Sequence, residues 1–273
     1  MGEAASRAPS EADLHPYRDL KDREADRDGL FIAETLLVTE ALLTIPGVAR
    51  SVLCSSRMAE RVVEMVAASR DPSVPVFVLP LAEMERIAGF HVHRGVLAAG
   101  DRGALATHQS QAMAAQRDLP GMRLALDGIT NIDNVGMLFR CAAAFGVRSV
   151  LLSQGCHDPL WRKSLRVSIG HALRLPWERA DSLAQRLRQL RECEGWTILG
   201  ASLNPAAEPV ESAIPPARGV LVVGHESVGL SPEVTAVCDR LVRISMAPGV
   251  DSLNVATAAA VCLHRLSPLT QPT

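Results

Sequence analysis

LALDGITNIDNVGMLFRCAAAFGV, residues 124–147, contains the unit from which the rest of the chain can be read. An apolar strand ends at Asp127-Gly128 and the polar turn ITNIDN follows. Apolar residues then recur at helical spacing from about Asn134 until Gly146 stops them. VRSVLLSQ is the next strand, so the stretch forms one strand–helix–strand crossover. The pattern continues downstream. LWRKSLRVSIGHAL reads as helical, ADSLAQRLRQLRECEG as a helix with an apolar stripe, and WTILGASL and GVLVVGHE as strands. SPEVTAVCD reads as a helix with Ser231 as N-cap and Pro232 in its first turn, LVRISMA as a short strand, and SLNVATAAAVCLHRL as a closing helix capped by Ser252. This alternation predicts an α/β domain over 119–273 with a mostly parallel sheet covered on both faces.

Upstream, residues 1–28 are charged and lack apolar periodicity, which predicts a flexible or loosely docked arm. FIAETLLVTEALL (31–43) has helical spacing that ends at Pro46-Gly47. VARSVLCSS and VPVFVLP read as strands around an amphipathic helix at 57–69, and LAEMERIAG reads as a helix before a last strand, VHRGVLAAG. Residues 29–103 therefore form a small α/β domain. Residues 104–118, polar and rich in Ala and Gln, suit a partly helical linker.

The 273 residues, 48% hydrophobic, suffice for two domains. No apolar run approaches the roughly 18 residues of a membrane span, and the acid-rich N-terminus has no signal-peptide core, so the expected location is cytoplasmic. The six cysteines show no CxxC spacing and read as buried free thiols. His91 and His93 alternate along an apparent strand without ligand partners, and no metal site is expected. The net charge of −2 divides unevenly: residues 1–118 carry 13 Lys/Arg against 17 Asp/Glu, and residues 119–273 carry 15 against 13. Only Lys21 and Lys163 are lysines, and arginine is the residue suited to bidentate phosphate contact. Overall charge neither requires nor excludes RNA, because a local patch would suffice.

The common nucleotide and hydrolase motifs fail on specific residues. GxGxxG and GxSxG are absent. Gly224 and Gly229 have P-loop spacing, but Leu230 stands in the lysine position. His225-Glu226 begins like HExxH, but Gly229 replaces the second histidine. Three other segments lie where open α/β sheets place their ligands, at the C-terminal ends of predicted strands: 124–147, LVVGHESVGLS (221–231) and ISMAPGVDSLNVATAAA (244–260). Asn134 reads either as a helix cap or as part of a site. It meets Arg140 only if it lies in the turn before the helix, since six residues at about 100° each do not share a face. Glu226 reads as a surface carboxylate or as a partner for a helix N-terminus or an arginine. The glycines at 224 and 229 permit close backbone approach to a ligand.

In this order and spacing the segments resemble the three signature motifs of the SpoU/TrmH family of RNA methyltransferases, within the SPOUT class. The resemblance rests on Asn134 and Arg140 in the first, Gly224, Glu226, Gly229 and Leu230 in the second, and Ser252-Leu253-Asn254 in the third. DPLWRKSLRVSIGHALRLPW resembles the family's basic segment, with Arg166, Ser168 and Gly170 in place. Residues 30–100 resemble the L30e-like substrate-binding domain of many members, departing at Thr35, where related sequences often have glycine.

The resemblance implies a trefoil-knotted catalytic domain and S-adenosylmethionine as cofactor, held near Leu203, Gly224, Glu226, Gly229, Ile244, Met246, Ser252 and Leu253. It implies methyl transfer to a ribose 2′-hydroxyl, with Arg140, Asn134, Glu226, Ser252 and Asn254 as the catalytic set. The family proposal makes the arginine a base. A free guanidinium, with a pKa above about 12, fits better as a phosphate ligand that stabilises the developing oxyanion. Arg162, Lys163, Arg166, Ser168 and Arg174 become the RNA-binding candidates. A homodimer joined partly through the closing helix is also implied, and the L30e-like domain favours ribosomal over transfer RNA. The alternative from another class is a non-catalytic RNA-binding or assembly protein on the same fold.

Overall fold

The computed structural model describes residues 6–20 and 29–267. In chain order the elements are β1 (Ser6–Arg7), α1 (Glu11–Leu14), β2 (Leu30–Glu34), α2 (Leu36–Leu43), β3 (Ala49–Ser55), α3 (Ala59–Ala67), β4 (Val76–Leu79), α4 (Leu81–Ala88), β5 (Val96–Asp101) and α5 (Arg102–Ala115). They continue with β6 (Gly121–Asp127), α6 (Ile132–Ala144), β7 (Val150–Leu152), α7 (Arg162–Val167), α8 (His171–Arg174), β8 (Trp177–Arg179), α9 (Leu183–Glu194) and β9 (Thr197–Ala201). The last are β10 (Glu208–Pro209), β11 (Arg218–Gly224), α10 (Pro232–Thr235), β12 (Arg240–Arg243) and α11 (Val255–Leu266). Contacts divide the chain into two units, 1–109 with 159–174, and 110–158 with 175–273. The division falls inside α5, in the segment expected to be a linker. It also groups α7 and α8 with the first unit, although their sequence reads as part of the second.

In the first unit a five-stranded sheet runs β1-β4-β3-β5-β2. β5 is antiparallel to β2 and β3, and β4 is parallel to β3 and β1. The expected loose arm is corrected within residues 6–20. β1 pairs with β4, and Leu14 and Tyr17 enter the core beside Leu53, Phe77 and Met84. The apolar residues Leu14, Tyr17 and Leu20, three apart, carry this docking. The remainder of the arm lies outside the described residues.

The helix expected to start at Phe31 starts instead at Leu36, because Leu30–Glu34 pairs with β5 as a strand. Strand becomes helix at Thr35, whose φ of 84° and ψ of 153° lie in a region that suits glycine. His91 and His93 lie in a turn before β5 rather than on a strand, and His91 Nδ1 pairs with Glu85 Oε1 at 2.5 Å. The helix expected over 160–173 is split by positive φ at Ile169 and Gly170. A Cβ on Gly170 would stand 2.6 Å from Ala41 Cβ, so the glycine lets this segment press against α2.

The second unit is a seven-stranded sheet in the order β10-β12-β9-β11-β6-β7-β8, and every pairing is parallel. On one face Leu183, Leu187 and Leu190 of α9 bury against Ile198, Val220 and Val222. α11 packs on β11 and on α6. The short edge strands β8 and β10 were not anticipated. Of the six cysteines, Cys54, Cys156 and Cys262 are buried and Cys141 and Cys238 half-buried, but Cys193 is exposed. Among the described residues no helix is long and apolar enough to cross a membrane, and no group of three or more His, Cys, Asp or Glu residues is placed to hold a metal ion.

Candidate active site

β11 lies between β9 and β6, with Gly224 in register with Asp127 at their C-terminal ends. The loops leaving β9, β11 and β12 surround a cavity of about 640 Å³, within the usual range for a small-ligand site. All eight residues expected at the cofactor line it: Leu203, Gly224, Glu226, Gly229, Ile244, Met246, Ser252 and Leu253. Asn254 lines it as well.

The loop from Gly224 to Gly229 closes on itself. Gly229 N–H donates to His225 O over 2.8 Å, and Ser227 N–H donates to His225 Nδ1 over 3.1 Å. A Cβ on Gly224 would stand 2.2 Å from the Gly229 carbonyl carbon. The missing side chain at 224 therefore makes room for the chain's own backbone, where the sequence pointed to a ligand. Gly229 has φ +73°.

Asn134 is inside α6, not before it. The cap is Asn131, whose side chain accepts from Asp133 N–H and Asn134 N–H. This frees the buried Asn134 amide for two longer-range bonds. Its Nδ2 donates to Glu226 Oε1 over 2.6 Å, and its Oδ1 accepts from Asn254 Nδ2 over 2.9 Å. Asn254 Oδ1 in turn accepts from Ala256 and Thr257 N–H, so Asn254, not Ser252, caps α11. Ser252 is exposed and makes no hydrogen bond among the described residues. The three motifs thus converge through Asn254, Asn134 and Glu226.

Arg140 lies further along α6 on a different face from Asn134, exposed and without a hydrogen bond or ion pair among the described residues. The condition for Asn134 and Arg140 to meet, an Asn134 outside the helix, is not fulfilled.

Two further residues, Asp127 and Glu211, hold the loops. Asp127 Oδ2 accepts from Ser231 N–H over 2.7 Å, fixing the far end of the β11 loop. Glu211 accepts from Ser245 N–H and Oγ, between Ile244 and Met246. The Glu211 backbone amide, and then Ser245, hold this carboxyl below the ordinary carboxylate range. Asp127 had a signal, a carboxylate at a strand end before glycine; Glu211 had none. Cys262 also lines the cavity, and burial pushes its thiol up to about 12.

Residues 121–264 match the SpoU rRNA methylase family. The chain belongs to that family. A relative 34% identical over 94% of this chain and 88% of its own length is an uncharacterised tRNA/rRNA methyltransferase of Mycobacterium tuberculosis. Two solved structures share the fold. One is the SpoU methyltransferase AviRb of Streptomyces viridochromogenes in complex with AdoMet, with a TM-score of 0.75 and 21% identity over 90% of this chain and 93% of that one. The other is an RNA 2′-O ribose methyltransferase, with a TM-score of 0.73 and 21% identity over 96% of each chain.

The basic segment of this SpoU family member is partly committed within the first unit. Glu34, fully buried, accepts from Arg162 Nη1 at 2.8 Å and from Arg166 Nη1 at 3.3 Å, and Arg162 stacks 3.7 Å from the Phe90 ring centroid. Ser168 is fully buried with its hydroxyl donating to Leu165 O over 3.0 Å, so it serves the helix turn and is not placed for RNA. Lys163 and Arg174 are exposed.

Proposed function

We propose that this chain is an S-adenosylmethionine-dependent RNA methyltransferase acting on a ribose 2′-hydroxyl, with ribosomal RNA favoured over transfer RNA. The observation that carries the reading is the hydrogen-bonded line Asn254–Asn134–Glu226, which ties three sequence-distant motifs to the wall of one cavity.

The cavity fits the cofactor by size and by chemistry. Leu203, Ile244, Met246 and Leu253 offer apolar walls to an adenine, main-chain groups of the β11 loop are available to polar edges, and Glu226 supplies negative charge for a cationic ligand. When bound, S-adenosylmethionine supplies a methyl group made electrophilic by its sulfonium. The AdoMet complex of AviRb, similar in fold, supports this choice, and the 2′-O ribose methyltransferase of similar fold supports the acceptor. Asn134 and Asn254 hold Glu226 in place. Arg140, with no partner among the described residues, is available to bind the phosphate next to the target sugar and to stabilise the developing oxyanion. A trefoil knot and an L30e-like first unit belong to the same reading. So does a homodimer, supported by exposed apolar side chains at Met137, Val250, Leu253 and Val261.

The test is incubation of unmodified ribosomal RNA with labelled S-adenosylmethionine, then nuclease digestion and nucleoside analysis. Label in a 2′-O-methylnucleoside is expected. Label confined to a base would overturn the acceptor, and a folded chain that neither binds the cofactor nor transfers label would favour an RNA-binding protein.

A further inference from the structure

β8 is an edge strand of the second unit, and its last residue, Arg179, is a half-buried cation outside the three motifs. Its guanidinium has no carboxylate partner among the described residues. It bonds main chain instead. Nη1 donates to Cys156 O over 2.8 Å, to Ser153 O over 2.9 Å and to Gln154 O over 3.3 Å, and Nη2 donates to His157 O over 3.4 Å. Four carbonyls of the loop that leaves β7 therefore face one cation. Their dipoles repel one another when crowded, and a charged fork of N–H groups holds them together.

That loop is bonded in turn to the end of β6. Ser153 N–H donates to Leu126 O over 3.0 Å, Gly128 N–H donates to Ser153 Oγ over 2.9 Å, and His157 N–H donates to Ile129 O over 2.8 Å. A Cβ on Gly155 would stand 3.8 Å from Gly128 Cα, so the two loops lie in contact. Ile129 is fully buried, and Asn131, two residues on, caps α6 by accepting from Asp133 and Asn134 N–H. A continuous line of bonds thus runs from Arg179 through residues 153–157 and 128–131 to the first turn of α6. α6 carries both Asn134 and Arg140. A shift of that turn would carry the Asn134 amide away from Glu226 and Asn254, and Arg140 with it.

We infer that Arg179 is a positioning residue for methyl transfer. By clamping the carbonyls of residues 153–157 it fixes the start of α6, and so sets Asn134 and Arg140 relative to the substrate. It does not line the cofactor cavity. This rests on the reading of the chain as an RNA methyltransferase.

Two measurements on the full chain test it, one independent of activity. In Arg179→Ala, hydrogen–deuterium exchange read by mass spectrometry should quicken about tenfold over residues 126–136 and stay unchanged over 239–246. Single-turnover transfer to unmodified ribosomal RNA should slow about tenfold, with S-adenosylmethionine affinity by calorimetry within about threefold of wild type. Arg179→Lys keeps the charge and most of the side-chain volume, but one ammonium cannot span carbonyls spread over five residues. It should fold and show both effects. Unchanged exchange over 126–136 in the two variants would overturn the clamp. Faster exchange with wild-type transfer would overturn its role in the reaction, and so would a loss of cofactor affinity as large as the loss of rate. Wild-type behaviour of Arg179→Lys would show that charge alone acts, and would overturn the inference also. A wild type that transfers no methyl group would remove the functional reading, while the exchange measurement would still decide the clamp.

Discussion

Asn134 Nδ2 donates to Glu226 Oε1 over 2.6 Å, a bond between residues 92 positions apart in sequence. The other end of the same amide accepts from Asn254. Both ends being used makes the residue type specific. Asn134→Ala leaves a carboxylate and an amide each short of a partner, and about a hundredfold loss in transfer rate is expected from the misplaced site. Asn134→Asp is nearly isosteric but sets a second carboxylate against Glu226. Single-turnover methylation at pH 7.5 should find it at least as impaired as the alanine variant. Full activity in Asn134→Asp would contradict the assigned bond direction.

The two glycines of the β11 loop should differ in their tolerance. An added Cβ at Gly224 meets the Gly229 backbone at 2.2 Å, whereas at Gly229 nothing lies within 4 Å. Gly229→Ala then carries only the left-handed backbone cost, about 1–2 kcal/mol. Gly224→Ala has to displace the loop. Calorimetry should show S-adenosylmethionine affinity falling much further for Gly224→Ala than for Gly229→Ala, and equal losses would show that this packing is not what matters.

Thr35 adopts φ 84° with no hydrogen bond from its side chain among the described residues. A β-branched residue is strained there, by about 1–3 kcal/mol. Thr35→Gly exchanges that strain for a smaller loss to the entropy of the unfolded chain, and a net gain of about 1 kcal/mol is expected. Thermal unfolding should show the midpoint rising by a few degrees. A fall would mean that the surroundings accommodate threonine.

Thiol labelling of the native chain at pH 8 should begin at Cys193, which is exposed. Burial pushes the thiols of Cys54 and Cys238 up to about 11 and that of Cys262 up to about 12. Few thiolates form at those positions at pH 8, and access is restricted as well. Mass spectrometry of briefly alkylated protein checks the order, and early modification of Cys262 would mean that the cavity wall opens.

The second unit was the more legible of the two because its strands, buried on both faces, are runs of Leu, Val and Ile that only a parallel sheet explains. VLVV in β11 and LAL in β6 are examples. The eight residues expected at the cofactor came from the family resemblance, and Leu203, Ile244 and Met246 among them carry no motif of their own. What escaped was whatever depends on a distant partner. The cap reading of Asn134 stays open in the sequence because nothing local shows that Asn131 takes that role and releases it. Ser252 and Asn254 are both good caps by residue type, and only the start of α11 at Val255, with Asn254 accepting from Ala256 and Thr257 N–H, distinguishes them. Arg123 sits mid-strand as if facing solvent, yet it is buried, 4.1 Å from the Trp196 ring centroid. The sequence of β2 reads as helix because Phe31-Ile32-Ala33 runs into a helix with no glycine or proline between them. Ser168 looked available to RNA because its fit into the turn of α7, beside α2, is a tertiary fact.

The most direct test of the account separates transfer from cofactor binding at Arg140. Arg140→Ala should lose methyl transfer to unmodified ribosomal RNA by several orders of magnitude in single-turnover reactions. Its S-adenosylmethionine affinity by calorimetry should stay within about twofold of wild type, because Arg140 is not among the residues lining the cavity. Wild-type levels of 2′-O-methylnucleoside from the Arg140→Ala protein would contradict it.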